Sequence, residues 1–278
     1  EISACLVGSE MCIRDRSITA HMIVENEENF VFYSVVSVID YVDSMLIYDS
    51  GSIDKTPEIL KLLKRSYPQK IELEFGEKLS AEKVAKKRSE MLERTETEWM
   101  LVLDGDEIWW EGAISELVEL TRKVDGSING IITHYSVPCG DMFHKYPRLG
   151  EYRIGGLSGD ITIRAMRVKS LKGVSGSFPL EGYVLNSGKL IQDEHRNLYN
   201  HNRVSYLHTT FLKRTSVHNN KVKKEFGLSY PFDFYYPESF FVKRPEAVPS
   251  PWCKVSGLVL VVYFLRGMAR KALNNILR

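Results

Sequence analysis

Three short apolar runs in the first 110 residues each break off into carboxylates and amides. MIV (22–24) is followed by Glu25-Asn26-Glu27, and LIY (46–48) by Asp49-Ser50-Gly51-Ser52-Ile53-Asp54. WMLVL (99–103) leads into Asp104-Gly105-Asp106-Glu107. Helical patterns separate them, so the runs read as successive strands of a mostly parallel sheet built from βαβ units. In such a sheet ligands bind in the crevice beyond the carboxyl ends of the strands. One acidic strand end is an ordinary solvated loop; three in one sheet converge on that crevice.

The strands implied are 19–24, 44–48, 70–75, 99–103 and 129–135. A helix opens at Thr56-Pro57-Glu58, where Thr56 is expected as a hydroxyl cap, with proline in the first turn and an acid at the positive end of the dipole. Ile59, Leu60, Leu63 and Tyr67 give it a buried stripe. A second helix runs from Ser80 to about Thr95. Beyond residue 137 the pattern turns irregular around one strand-like run, ITIRAMRV (161–168). The expected fold is α/β: a Rossmann-like, mostly parallel central sheet flanked by helices, with an irregular C-terminal elaboration. Residues 17–250 form the expected domain, divided into a ligand-binding half (17–136) and an elaborating half (137–250).

Composition narrows the partners. With 37 basic against 36 acidic residues, the net charge of +1 gives no electrostatic case for nucleic acid. Cys5, Cys12, Cys139 and Cys253 form no CxxC pair, so neither a zinc site nor a disulfide scaffold is indicated. A reducing, cytoplasmic setting is the expectation. Residues 1–16 fit neither period and read as a non-native leader, since ACLVGSEMCIRDR (4–16) resembles translated adapter sequence. At the other end, 251–278 is an apolar and basic tail. VSGLVLVVYFL (255–265) is too short to span about 30 Å of hydrocarbon as a helix. Lys254, Arg266, Arg270, Lys271 and Arg278 surround it with no acid. Such a tail either lies on an anionic membrane surface or docks on the core with its basic face in water.

The acidic crevice suits a metal-bound nucleoside diphosphate. A hard divalent cation prefers oxygen ligands and keeps phosphate oxygens and water in its shell. Asp104 and Asp106 alternate across an extended turn, so one reaches a metal while the other takes a second position or a sugar hydroxyl. The Asp49–Asp54 turn, curved at Gly51, can present a carboxylate to the imide edge of a pyrimidine. On the 80–95 helix, Ala81, Val84, Ala85, Met91 and Leu92 share one arc at 100° per residue, and Arg88 lies in its middle. A guanidinium aimed inward needs an anion, either the crevice or a structural ion-pair partner.

ITAHMIVENEENF (18–30), YDSGSIDKT (48–56), AKKRSEML (85–92) and WMLVLDGDE (99–107) resemble, in order and spacing, the successive motifs of family 2 glycosyltransferases of the GT-A fold. The resemblance covers residues 17–110 well. It implies that Asp49 contacts the nucleotide base, that Glu27 and Arg88 lie by the nucleotide, and that Asp104 and Asp106 hold the ribose and a Mn²⁺ or Mg²⁺ ion bridging the diphosphate. Two departures stand out: Glu25 replaces the usual Lys or Arg before Asn26-Glu27, and Ser89 replaces the asparagine that often follows the helix arginine. The QxxRW motif of processive synthases is absent, which favours transfer of a single sugar.

The second half resembles the family loosely. RAMR (164–167) and FPLEGYVL (178–185) are similar to a segment ending in the acceptor-side acid, implying Glu181 as catalytic base. Leu180 stands where a histidine is usual, and Asp193, Glu194 and Asp160 compete for the role. YLHTTFLKR (206–214) resembles a segment whose histidine completes the metal shell, implying His208; a hydrogen-bonded core histidine would look the same. Trp109 and Trp110 are either a sugar-stacking platform or core.

The resemblance thus implies a metal-dependent, inverting transferase. It would move one sugar from a nucleoside-diphosphate sugar, UDP-linked by family precedent, to a hydroxyl of a saccharide or lipid-linked acceptor in envelope polysaccharide synthesis. Peripheral contact with the inner face of the cytoplasmic membrane through 255–278 accompanies that expectation. Two rivals use the same residues. A degenerate nucleotide-sugar-binding protein would keep the pocket without a base. A haloacid dehalogenase-type phosphatase would use LVLDGDE as its nucleophile turn, but leaves DSGSIDKT unexplained.

Overall fold

The computed structural model describes residues 17–147, 150, 152–217 and 227–252. Residues 1–16, expected from the sequence to be a leader, and the run 255–278 lie outside the described residues.

Strand β1 (Ile18–Val24) is flanked by β2 (Ser44–Ser50) on one side and β4 (Trp99–Val102) on the other, with β3 (Ile71–Gly76) beyond β2, all parallel. Further strands are β5 (Glu107–Trp109), β6 (Gly130–Ser136), β7 (Ile161–Arg167), β8 (Leu171–Ser175), β9 (Gly182–Leu185) and β10 (Leu198–His208), and short strands His144–Lys145 with Leu228–Ser229 and Tyr152–Ile154 with Leu157–Gly159 pair outside the main sheet. The main sheet runs β3-β2-β1-β4-β7-β6-β10-β5. β7 is antiparallel to both β4 and β6, β10 is parallel to β6, and β5 closes the edge antiparallel to β10. β8 and β9 form a separate hairpin.

Side-chain alternation gives the sheet two faces. Trp99, Leu101 and Leu103 belong to one core with α1 (Val31–Val38), α2 (Thr56–Ser66) and α4 (Glu111–Lys123). Met100 and Val102 belong to the other, under α3 (Ala81–Glu93) and the β8–β9 hairpin. Helix α1, VFYSVVSV, was not anticipated. It is rich in β-branched residues, but seven of its eight residues are buried, so it shows no polar face by which to read a helical period. Helix α4 was also not anticipated, although Ala113, Ile114, Leu117 and Leu120 mark its buried face.

Helix α2 starts where expected but is capped differently. Thr56 is already helical; Asp54 Oδ1 accepts its N–H at 2.8 Å, while the Thr56 hydroxyl accepts the Glu27 N–H at 2.8 Å. The residue expected to cap its own helix instead ties the β1 loop to it. Ile59, Leu60 and Leu63 are fully buried, each contributing about 1.5–3 kcal/mol; Tyr67 is half-buried. Helix α3 is capped by the Ser80 hydroxyl, which accepts from Lys83 N, and buries Ala85, Arg88, Met91 and Leu92. Ala81 is exposed, so the apolar arc starts one turn later than its periodicity suggests.

Candidate functional site

The carboxyl ends of β1, β2 and β4 lie side by side, since Val24 pairs with Asp49 and His21 with Val102. Their loops are laced together by buried polar contacts. Asn26, at φ 55°, donates its N–H to Ser52 Oγ at 2.8 Å and accepts the Ile53 N–H on Oδ1 at 2.8 Å. Glu28 Oε2 accepts from Lys55 N at 3.0 Å, and its Oε1 from Ser216 N at 2.6 Å. Gly51 turns the β2 loop at φ 71°; a Cβ there would stand 2.8 Å from Lys78 N.

Beyond β4, the Asp104–Glu107 turn carries the chain across the strand ends to β5, and three arginines meet its carboxylates. Asp104 Oδ1 lies 3.4 Å from Arg88 Nη2, and its Oδ2 accepts from Arg164 Nη2 at 3.0 Å. Arg164 also donates to the fully buried Glu107 Oε1 and, through Nε, to Tyr206 Oη at 3.3 Å. Asp106 Oδ2 accepts from Arg214 Nη1 at 3.0 Å and lies 3.5 Å from His208 Nε2. The same Arg214 nitrogen lies 2.6 Å from Glu27 Oε1.

Burial and charge divide these groups. Burial opposes ionisation of Asp104, but Arg164 and Arg88 hold its carboxyl below the usual range. Burial likewise opposes Asp106, which His208, Arg214 and Arg164 hold well below it. Glu107 is pushed up to about 7 by burial, and Glu27 well above its ordinary value by burial and then by Asp106. Burial would lower His208, but Asp106 and Glu107 raise it.

Glu181, just ahead of β9, reaches the same cluster: its Oε1 lies 3.4 Å from Arg88 Nε, and its buried Oε2 has no hydrogen-bond partner. Arg88 therefore stands between Asp104 and Glu181. Asp193 and Glu194 are not brought here. They precede Leu198, which pairs with Gly130 at the amino end of β6, whereas the cluster lies at the carboxyl ends. Glu194 accepts from the His195 and Arg196 N–H groups. Asp160 accepts from Gly150 N.

Two placements differ from the sequence expectation. Asp49 ends β2 but is only 2% exposed, and its oxygens accept from the hydroxyl and N–H of Ser52 instead of opening to the crevice. Glu27 is buried against Arg214. Of the two candidate platform residues, Trp109 is buried in the core against Tyr206, and Trp110 is half-buried and donates Nε1–H to Tyr235 O. Arg164, Arg214 and Glu107 were not singled out beforehand. An arginine in the middle of the strand-like run ITIRAMR, beside a turn rich in carboxylates, was the available signal for Arg164.

Among the described residues no group of three or more His, Cys, Asp or Glu side chains is arranged to hold an ion. The donors nonetheless fit a hard divalent cation. Asp106 and His208 offer oxygen and imidazole side by side, Asp104 is a third of its side chain open to solvent, and such ions take remaining ligands from phosphate and water.

The model of the family described as "Glycosyl transferase family 2" matches residues 19–172. No curated protein sequence matches the chain. Among solved structures, S. aureus TarS is 13% identical with a TM-score of 0.46, covering 69% of this chain and 36% of that one. S. aureus TarS 1–349 in complex with UDP-GlcNAc is 14% identical with a TM-score of 0.47, covering 73% of this chain and 60% of that one. The mannosyltransferase PcManGT from Pyrobaculum calidifontis, in complex with GDP-Man and Mn²⁺, is 15% identical with a TM-score of 0.43, over 71% and 57%. The chain spans less than two thirds of the length of these structures.

Proposed function

The chain belongs to glycosyl transferase family 2, and on that premise we propose that it is a metal-dependent, inverting glycosyltransferase. It moves one sugar from a nucleoside-diphosphate sugar, with uridine the expected base, to a hydroxyl of a saccharide or lipid-linked acceptor. The observation that carries this reading is the meeting of Asp104, Asp106, His208, Arg88 and Glu181 beyond the carboxyl ends of β1, β2 and β4.

Asp106 and His208 would hold the cation and Asp104 would orient the ribose side of the donor. When bound, Mn²⁺ or Mg²⁺ supplies Lewis-acid stabilisation of the charge left on the departing diphosphate. Arg88 adds a fixed positive charge beside the same phosphates. Glu181 takes the proton of the acceptor hydroxyl as its oxygen bonds to the anomeric carbon and the bond to the diphosphate breaks. Attack from the face opposite the leaving group inverts the configuration. Asp49 reads the base once Ser52 gives up its carboxylate.

Thermal unfolding with UDP, GDP, CDP and ADP, each with and without Mn²⁺, tests this. Stabilisation by one diphosphate that needs Mn²⁺ and disappears in Asp106→Asn supports the site. No stabilisation by any nucleotide refutes it. Metal-dependent donor hydrolysis separates an active enzyme from a pocket without chemistry.

No helix among the described residues is long and apolar enough to cross a membrane. Peripheral contact is assigned to 255–278. Binding to anionic liposomes that survives deletion of those residues would count against it.

A further inference from the structure

Two buried polar atoms near the acidic turn have no hydrogen-bond partner: Arg214 Nε and Glu27 Oε2. They belong to a pair that already touches, through Arg214 Nη1 and Glu27 Oε1 at 2.6 Å. That contact is end-on, and the same nitrogen also donates to Asp106 Oδ2 at 3.0 Å. A guanidinium most favours a planar, two-bond approach to a carboxylate. A side-on approach through Nε and a terminal nitrogen would satisfy both orphaned atoms at once, and a buried polar atom left bare is unfavourable. The present arrangement forgoes that pairing because Arg214 also serves Asp106.

The backbone under Arg214 is held by its own set of contacts, while its side chain meets both acids through one terminal nitrogen and leaves Nε without a partner. Arg214 O accepts from Asn29 N at 3.0 Å, Lys213 O from Asn29 Nδ2 at 2.8 Å, and Glu28 Oε1 from Ser216 N at 2.6 Å. Thr209 donates both N–H and Oγ–H to Asp106 O. The strap 209–216 is thus stapled to the β1 loop and the acidic turn, so a change of side-chain torsions alone would turn the guanidinium from its shared position to a side-on one against Glu27.

We propose that Arg214 is a positioning residue with two seats. In the arrangement described it spans Glu27 and Asp106, and it would sit side-on across both oxygens of Glu27 when Asp106 takes up a cation. This rests on the assignment of the metal to Asp106. The acidic turn thereby carries its own counter-charge, which keeps Asp106 in place before loading, and Glu27 is the acid that receives it. Glu27 acts through Arg214 and does not touch the nucleotide.

The test is the affinity of the full chain for Mn²⁺ alone, without nucleotide, read by electron paramagnetic resonance of free Mn²⁺. Arg214→Gln should tighten binding about tenfold, equivalent to about 1.4 kcal/mol. Glu27→Gln should weaken it about tenfold in the wild-type background, because the arginine loses its second seat. In the Arg214→Gln background the same Glu27→Gln change should alter affinity by no more than about twofold, the limit for uncoupled sites. Arg214→Lys, which keeps the charge without the planar fork, should bind Mn²⁺ more weakly than wild type. A Glu27→Gln effect of equal size in both backgrounds would mean plain charge repulsion and would overturn the two seats. So would unchanged or weaker binding in Arg214→Gln, or tighter binding in Arg214→Lys. No Mn²⁺ binding by wild type and Arg214→Gln alike would remove the metal assignment itself, and the seats with it.

Discussion

Arg164 Nη2 lies 3.0 Å from Asp104 Oδ2, so the central antiparallel strand fixes the acidic turn that leaves the parallel half of the sheet. The register of β7 slips between Ile163 and Ala165, and that irregularity falls at Arg164. Its other carboxylate partner, Glu107, is fully buried. The turn is therefore held from beneath by a residue about 60 positions later in the chain, |i−j| = 60.

Arg164→Met should be severely destabilising. It leaves the buried Glu107 carboxylate without its guanidinium, and breaking one side of a buried pair costs about 3–5 kcal/mol. Urea unfolding should show the midpoint falling with an unchanged slope. Arg164→Lys, which keeps the charge but makes fewer fixed bonds, should lose less. Equal stability of the Met variant and wild type would show that Glu107 is content without a partner.

Stability should fall on the acid side through His21. This histidine is buried in β1 with Nε2 2.7 Å from Thr95 Oγ1, and burial, then Arg88 and Arg94, pull it down from 6.5 to about 3. The unfolded chain therefore takes up a proton below pH 6.5 that the folded chain refuses until about pH 3. The contribution is intact above 6.5 and is lost as pH falls across that window, with a slope of about 1.4 kcal/mol per pH unit for one proton. His21→Gln should flatten this limb of the unfolding free energy between pH 6 and 4. An identical limb in both proteins would assign the acid sensitivity elsewhere.

Gly105→Ala should disturb the site more than the fold. A Cβ there would stand 3.0 Å from both Glu27 Cγ and Val24 Cγ2. The neighbours must give by a few tenths of an ångström, a strain of about 1–3 kcal/mol when a packed site is overfilled. The group displaced most readily is Glu27, the partner of Arg214. Calorimetry should show weaker Mn²⁺ and nucleotide binding, while the melting temperature drops modestly. Unchanged binding would mean that Val24 absorbs the strain.

The strand ends were legible because hydrophobicity and its abrupt loss are local signals. MIV, LIY and WMLVL each announce both a strand and the residue at which it stops. Arg88 was legible too, since one charged residue in an apolar helical arc must meet something. What was not legible depends on pairing between distant segments. Arg164 and Arg214 reach the acidic turn only because β7 lies beside β4 and the strap after β10 returns to the β1 loop. Asp49 turns inward because Ser52 is three residues away and the turn curls back on it, a choice of rotamer that spacing alone does not decide. Trp109 and Trp110 looked ambiguous for the same reason: what faces them is set by Tyr206 and Tyr235, about 100 residues or more downstream. Helix α1 hid because total burial erases the amphipathic period.

Four carboxylates, Glu181, Asp193, Glu194 and Asp160, compete in the sequence for the role of base, and geometry ranks them for test. Glu181 shares Arg88 with Asp104, whereas Asp193 and Glu194 lie toward the other end of the sheet. Glu181→Gln keeps the size of the side chain and removes its capacity to take a proton. It should lower kcat about 10²–10⁴-fold with donor KM little changed, since the donor's phosphates and ribose are met by other residues. Asp193→Asn and Glu194→Gln should leave kcat within about twofold and stability within about 0.5 kcal/mol, since both lie away from the cluster. Steady-state kinetics on the three variants, with melting temperature measured alongside, decides the matter. Full activity in Glu181→Gln would exclude it as base, and a large loss confined to Asp193→Asn or Glu194→Gln would move the acceptor to the opposite end of the sheet.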